Sequence, residues 1–122
     1  MGAIIKNYDG LKKKVYYSKG KIIHNTKGPA VLIYAENPYR LVRKEYRVNG
    51  ILHRTNGPAI VEYDRNGNIS KKVYYYKGIL HRDGGPSIVD IKNHKFVYFI
   101  KGSNYTRDEY NKKMLKFKLD NL

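Results

Sequence analysis

The 122-residue sequence predicts an all-β fold, an antiparallel array of β-hairpin repeats closed at the C-terminus by one short helix. Three observations carry that prediction. A tyrosine-rich phrase ending in glycine occurs four times, as VYYSKG at 15–20, EYRVNG at 45–50, VYYYKG at 73–78 and VYFIKG at 97–102. A second phrase, in which His is followed by Gly-Pro and an alternating apolar run, occurs three times. Thirteen tyrosines accompany no tryptophan, and aromatic side chains suit a pleated, half-buried surface.

The elements follow in order. Gly2-Ala3-Ile4-Ile5 matches a Gly-Pro-Ala strand without its proline, so the sequence opens in the middle of a unit. Tyr16, Tyr46, Tyr74 and Tyr98 stand four residues before each glycine; alternation places Ser18, Val48, Tyr76 and Ile100 on the same strand face. Asn49-Gly50 is a strong hairpin signal, because a type I′ turn needs positive φ at both positions. After the hairpin, Ile-His or Leu-His leads to Gly-Pro, which ends one element and fixes φ at the start of the next. The second strands then read AVLIY from Ala30, AIVEY from Ala59 and SIVDI from Ser87. Pro29, Pro58 and Pro86 are spaced by 29 and 28 residues, the range of stacked supersecondary units. Connections vary at Asp9-Gly10, Glu36-Asn37-Pro38, residues 64–68 and Asn93-His94, as loops on one edge do. At the end, Thr106 and Glu109 form a capping box, with Tyr110, Met114 and Phe117 on one helical face that covers the last unit.

The chain therefore divides, within one domain, into an N-terminal half repeat at 1–14, hairpin repeats at 15–42, 43–70 and 71–96, and a terminal strand plus capping helix at 97–122. About eight short strands are expected.

Lys and Arg total 25 against 10 acids, a formal charge of +15 that points to polyanionic partners. There is no cysteine, which removes thiolate catalysis and cysteine zinc sites and favours an intracellular setting. The first residues hold neither a signal-peptide core nor a spanning segment.

Catalytic constellations are not evident, and neither cofactor nor enzyme activity is expected. His24, His53 and His81 occupy one column, but two strands per unit separate its members by roughly 9–10 Å, so they cannot share one zinc ion. Their expected role is structural, each ring bonding turn backbone beside its Gly-Pro. Glu62 and Asp90 read as solvent-face residues paired with nearby lysines. The basic columns are the candidate binding residues for a polyanion or partner. Lys13, Lys14, Arg43, Lys44, Lys71, Lys72 and Lys95 precede the tyrosine strands and are expected to form a stripe, with Lys19, Lys77 and Lys101 at the hairpins. Interleaved tyrosines would add base stacking to phosphate pairing, although a column present in all four units is more economically read as core.

The Tyr, Asn-Gly, His and Gly pattern resembles the MORN repeat, in which aromatic strands are joined by an Asn-Gly-Lys hairpin followed by His-Gly and a further glycine. The fuller His-Arg-x-x-Gly-Pro-Ala form is similar to repeat proteins of phages and large DNA viruses. This sequence departs from the MORN pattern in its longer units and in Arg54 after His53. The resemblance implies a non-enzymatic interaction module. The first reading is thus binding of an acidic protein surface, in the manner of a viral accessory protein that blocks a host factor. The second is a nucleic-acid-binding protein using the basic stripe; an anionic membrane is a weaker third.

Overall fold

The computed structural model describes residues 3–8, 12–36 and 38–122, with side chains from Tyr17 onward. The chain runs through β1 (Ala3–Tyr8), β2 (Lys12–Lys19), β3 (Ile22–Ile23), β4 (Val31–Ala35), β5 (Arg40–Glu45), β6 (Arg47–Val48) and β7 (Ile51–Leu52). It continues through β8 (Ile60–Tyr63), β9 (Ile69–Val73), β10 (Tyr75–Tyr76), β11 (Ile79–Leu80), β12 (Ile88–Asp90), β13 (Lys95–Ile100), β14 (Ser103–Tyr105) and helix α1 (Arg107–Asp120). The expected all-β class with one C-terminal helix is what forms. Asp9-Gly10 and Asn37, in two of the connections named above, lie outside the described residues, as do the side chains of Lys13, Lys14 and Tyr16.

The main sheet is antiparallel, in the order β1-β2-β4-β5-β8-β9-β12-β13-β14, with β3 attached to β2; β6-β7 and β10-β11 are separate two-stranded hairpins. Among the described residues fourteen strands replace the expected eight, because two of the tyrosine strands break and the second arms of the hairpins, β3, β7, β11 and β14, are short strands of their own. Tyr46 and Tyr74 sit at the breaks: their N–H groups donate across the main sheet to Ala59 O and Ser87 O, at 2.7 and 2.8 Å. Their carbonyls accept from His53 N and His81 N in their own hairpin, at 3.1 and 3.3 Å. One residue thus serves both pairings, and the strand turns out of the sheet there.

Each hairpin turn uses left-handed backbone. Asn49-Gly50 has φ of 52° and 79°, as a type I′ turn requires, and Lys77-Gly78 and Lys101-Gly102 follow it with 51°/80° and 49°/84°. In the first hairpin the extra Lys21 moves the pairing to Lys19 with Ile22, leaving Gly20 and Lys21 as the turn.

The core is narrow. Ala30, Ala59 and Ser87, each directly after a Gly-Pro, are fully buried, joined by Val31, Ala35, Ile60, Val61 and Val73. The chain exposes 8366 Å², where the usual scaling for its size gives roughly 6,800 Å².

Helix α1 begins on the expected capping box: Thr106 Oγ1 accepts from Glu109 N at 3.2 Å, and Glu109 Oε1 accepts from Thr106 N at 2.9 Å. The Thr106 backbone N–H, followed by the Thr106 hydroxyl, holds the Glu109 carboxyl below the usual carboxylate range. The expected covering face is only partly formed. Tyr110 is buried and Met114 half-buried, but Phe117 is 60% exposed beside exposed Leu115 and Leu119. The helix docks through Tyr110 and Met114, and its later apolar residues are left exposed.

Candidate functional site

The site is built from contacts between successive hairpins. His24 Nδ1 accepts from Asn49 N at 2.8 Å, His53 Nδ1 from Lys77 N at 2.8 Å, and His81 Nδ1 from Lys101 N at 3.0 Å. Each histidine therefore bonds the turn of the next hairpin, not the turn backbone beside its own Gly-Pro. An accepting Nδ1 places the ring proton on Nε2. In His81 that nitrogen lies 2.7 Å from Asp83 Oδ1. The adjacent glycines complete the joint: Gly50 N, Gly78 N and Gly102 N donate to Ile23 O, Leu52 O and Leu80 O at 2.7–2.8 Å. A Cβ on Gly50, Gly78 or Gly102 would stand 3.3, 2.7 or 3.2 Å from the Cγ2 of Ile22, Ile51 or Ile79 of the preceding hairpin. Glycine is thus required there by φ and by close approach together.

The residue after each histidine builds the next layer. Arg54 lies over the Tyr46 ring, 3.8 Å from its centroid, and Arg82 over Tyr74 at 4.0 Å. Their Nη1 groups donate to Pro58 O and Pro86 O at 3.2 and 3.1 Å. Asn25, in the same position of the first loop, donates from Nδ2 to Pro29 O at 3.1 Å. A Cβ on Gly57 or Gly85 would meet the guanidinium at 3.0 Å, so the glycine before proline clears the arginine's path. The half-buried tyrosines are therefore floor beneath arginine, and the deeper core is the alanine and serine column. Over Tyr98 the covering group is Tyr110 of α1, with ring centroids 5.0 Å apart. Its hydroxyl donates to Arg82 O at 2.5 Å and accepts from Gly85 N at 3.1 Å.

Three clefts result among the described residues, two between one loop and its successor and the third between the last loop and α1. The first, about 370 Å³, runs from Lys27 and Gly28 across Tyr46 to Arg54 and Asn56. The second, about 410 Å³, runs from Asn56 and Gly57 across Tyr74 and Tyr75 to Arg82 and Gly84. The third, about 350 Å³, lies between Gly84 and α1, floored by Tyr98 and flanked by Arg107 and Lys118. Lys27, Arg54, Arg82, Arg107 and Lys118 line this row against one carboxylate, Asp83.

The columns expected to bind are placed differently. Cross-strand register runs Lys14, Ile33, Arg43, Glu62, Lys71, Asp90, Lys95, so from Arg43 onward acids separate the cations of that row. Lys44 and Lys72 point to the opposite face, in the row Leu32, Lys44, Val61, Lys72, Val89, Phe96. Lys44 Nζ lies 5.9 Å from the rings of both Tyr46 and Tyr63. Lys13 pairs with Tyr34 in the β2-β4 register. Lys19, Lys77 and Lys101 are exposed along the hairpins.

Arg43 is held by Glu45 at 2.9 Å and Glu62 at 2.5 Å, and Arg47 bonds the other Glu45 oxygen at 2.8 Å. Burial pushes the Glu45 carboxyl up, but the bonds and charges of Arg47 and Arg43 outweigh it and hold it below its usual range. Glu62 thus pairs with an arginine where lysines were expected, and Asp90 bonds Asn93 N and Nδ2 at 3.1 and 2.9 Å.

The cleft residues were not singled out from the sequence as a binding site. Their signal was present in the Arg of His-Arg-x-x-Gly-Pro recurring with the Tyr column, since a cation placed at fixed distance from an aromatic invites stacking. No helix among the described residues is long and apolar enough to cross a membrane. In comparisons with family models, curated proteins and solved structures, nothing matches the chain.

Proposed function

We propose that the chain is a non-enzymatic interaction module, a MORN-like array of β-hairpin repeats, that binds an acidic protein segment laid across the three clefts. The observation that carries this reading is the row itself. Three equivalent hollows follow one another along the loops, with five lining cations against one acid. With roughly 9–10 Å between successive clefts, an extended segment of about ten residues, some 33 Å long, spans all three. Backbone of the loops and tyrosine hydroxyls offer polar contacts, while arginine forks suit carboxylates. Base stacking fits this surface less well, because guanidinium groups already cover Tyr46 and Tyr74.

The test is fluorescence anisotropy with a labelled ten-residue polyglutamate peptide and, in parallel, a labelled single-stranded oligonucleotide, each at two salt concentrations. The peptide is expected to bind, and Lys27→Glu with Lys118→Glu, both exposed positions, is expected to weaken it at least tenfold. Tight oligonucleotide binding that survives this variant but is lost in Lys71→Glu with Lys72→Glu would transfer the function to nucleic acid through the sheet lysines.

A further inference from the structure

A fourth cleft lies away from the row, along the turns at 64–68 and 91–94, and at about 530 Å³ it is roomier than any of the three. Arg40, Arg65 and Lys92 line it. The carboxylate among the lining residues, Asp64, is turned into its own loop, where Oδ1 accepts from Asn66 N at 2.9 Å and Asn68 N at 3.0 Å. Asp90, the acid whose charge acts together with that of Lys92, is committed to Asn93. Arg40 carries the decisive feature: its Nε is buried without a hydrogen-bond partner among the described residues, and its Nη1 makes only a 3.4 Å bond to Pro38 O. A buried guanidinium donor left unpaired is costly, and an oxygen from a ligand would satisfy it.

We propose that this cleft binds a phosphate group. On binding, rotation of the Arg40 side chain brings the buried Nε to the cleft, where Nε and one Nη form the planar fork that pairs two phosphate oxygens. Arg65 and Lys92 are exposed, long side chains that supply the remaining positive charge from the two turns. Tyr63, Ile69 and Ile91 make the apolar wall of the same cleft, with Ile69 and Ile91 39% and 42% exposed. A phosphate alone fills a small part of the volume, and that wall is placed to take the organic part of a phosphate ester.

The experiment is an NMR titration of the full chain at constant ionic strength with inorganic phosphate replacing chloride, followed by a nucleoside monophosphate. Saturable shifts are expected at the amides of Asn66, Ser70, Ile91 and Lys92. Arg40→Gln is expected to weaken binding at least tenfold and Arg65→Gln, on an exposed turn, at least threefold, each with a spectrum otherwise like the parent. Lys116→Gln on α1 serves as the charge control and is expected to bind like the parent. Tighter binding of the nucleotide identifies an ester ligand, and equal binding identifies phosphate itself; both support the site. Absence of saturable shifts, parent-like binding by Arg40→Gln and Arg65→Gln, or an equal loss in Lys116→Gln would overturn it.

Discussion

At the residue scale, the turn glycines carry two separate demands that the structure lets one pull apart. Gly20 and Gly78 both have left-handed φ, 65° and 80°, yet a Cβ on Gly20 meets nothing within 4 Å while one on Gly78 would stand 2.7 Å from Ile51 Cγ2. Gly20→Ala therefore carries only the conformational cost, about 1 kcal/mol. Gly78→Ala is expected to cost roughly 2–3 kcal/mol, and Ile51→Ala in the same chain should return it to about 1 kcal/mol. Chemical denaturation of Gly20→Ala, Gly78→Ala, Ile51→Ala alone and the Ile51→Ala, Gly78→Ala pair measures the cycle; equal costs at Gly20 and Gly78 would contradict interlocking of the hairpins. The left-handed turn at Asn49-Gly50 was legible in the sequence because Asn and Gly are the residues that tolerate it. The isoleucine that presses on each glycine was not, since it comes from the preceding hairpin, about one unit away in sequence. The same distance hid the histidines' partners: a column of three rings announces a shared structural task without naming the atom each ring bonds.

At the scale of elements, β5 and β6 depart from their neighbours. Glu45 holds the place taken by Val73 and Val97 in the later strands, and the carboxylate is kept buried by Arg43 and Arg47 on the same strand face. Because the folded state holds this carboxyl below its ordinary range, its contribution is present above that range and is lost as pH falls through it, from about pH 4 downward. Glu45→Gln is expected to lower stability by roughly 2 kcal/mol at pH 7, with the gap to the parent narrowing in thermal melts toward pH 3. A gap independent of pH would contradict the ion pairs. The sequence pattern found the strands, the Gly-Pro boundaries and the capping box, all of which depend on near neighbours. It missed the breaks at Tyr46 and Tyr74, where one residue bonds the main sheet through its N–H and its own hairpin through its carbonyl. It also overextended the covering face of α1, whose later apolar residues, Phe117 among them, are left exposed.

At the scale of the whole molecule, a thin sheet leaves much of a strongly basic chain on the surface, so the arrangement of charge matters more than its sum. Aligning letters into columns placed Arg43, Lys71 and Lys95 in one row, as expected, but the intervening strands insert Glu62 and Asp90 between them. Those acids sit in strands of the other type, so comparing like strands with like does not bring them into the row. The clefts between loops were hidden for a related reason: each is shared by two units, and their cations come from loops, helix and the residue after histidine together. Whether one acidic segment spans all three clefts is read most directly by amide chemical-shift mapping of the full chain during titration with the ten-residue polyglutamate peptide. Lys27, Asn56, Gly84 and Asn111, one or more from each cleft, are expected to shift along a single saturation curve. Shifts confined to the Lys71, Lys72 and Lys95 strands, or separate curves for the three clefts, would contradict a shared binding row.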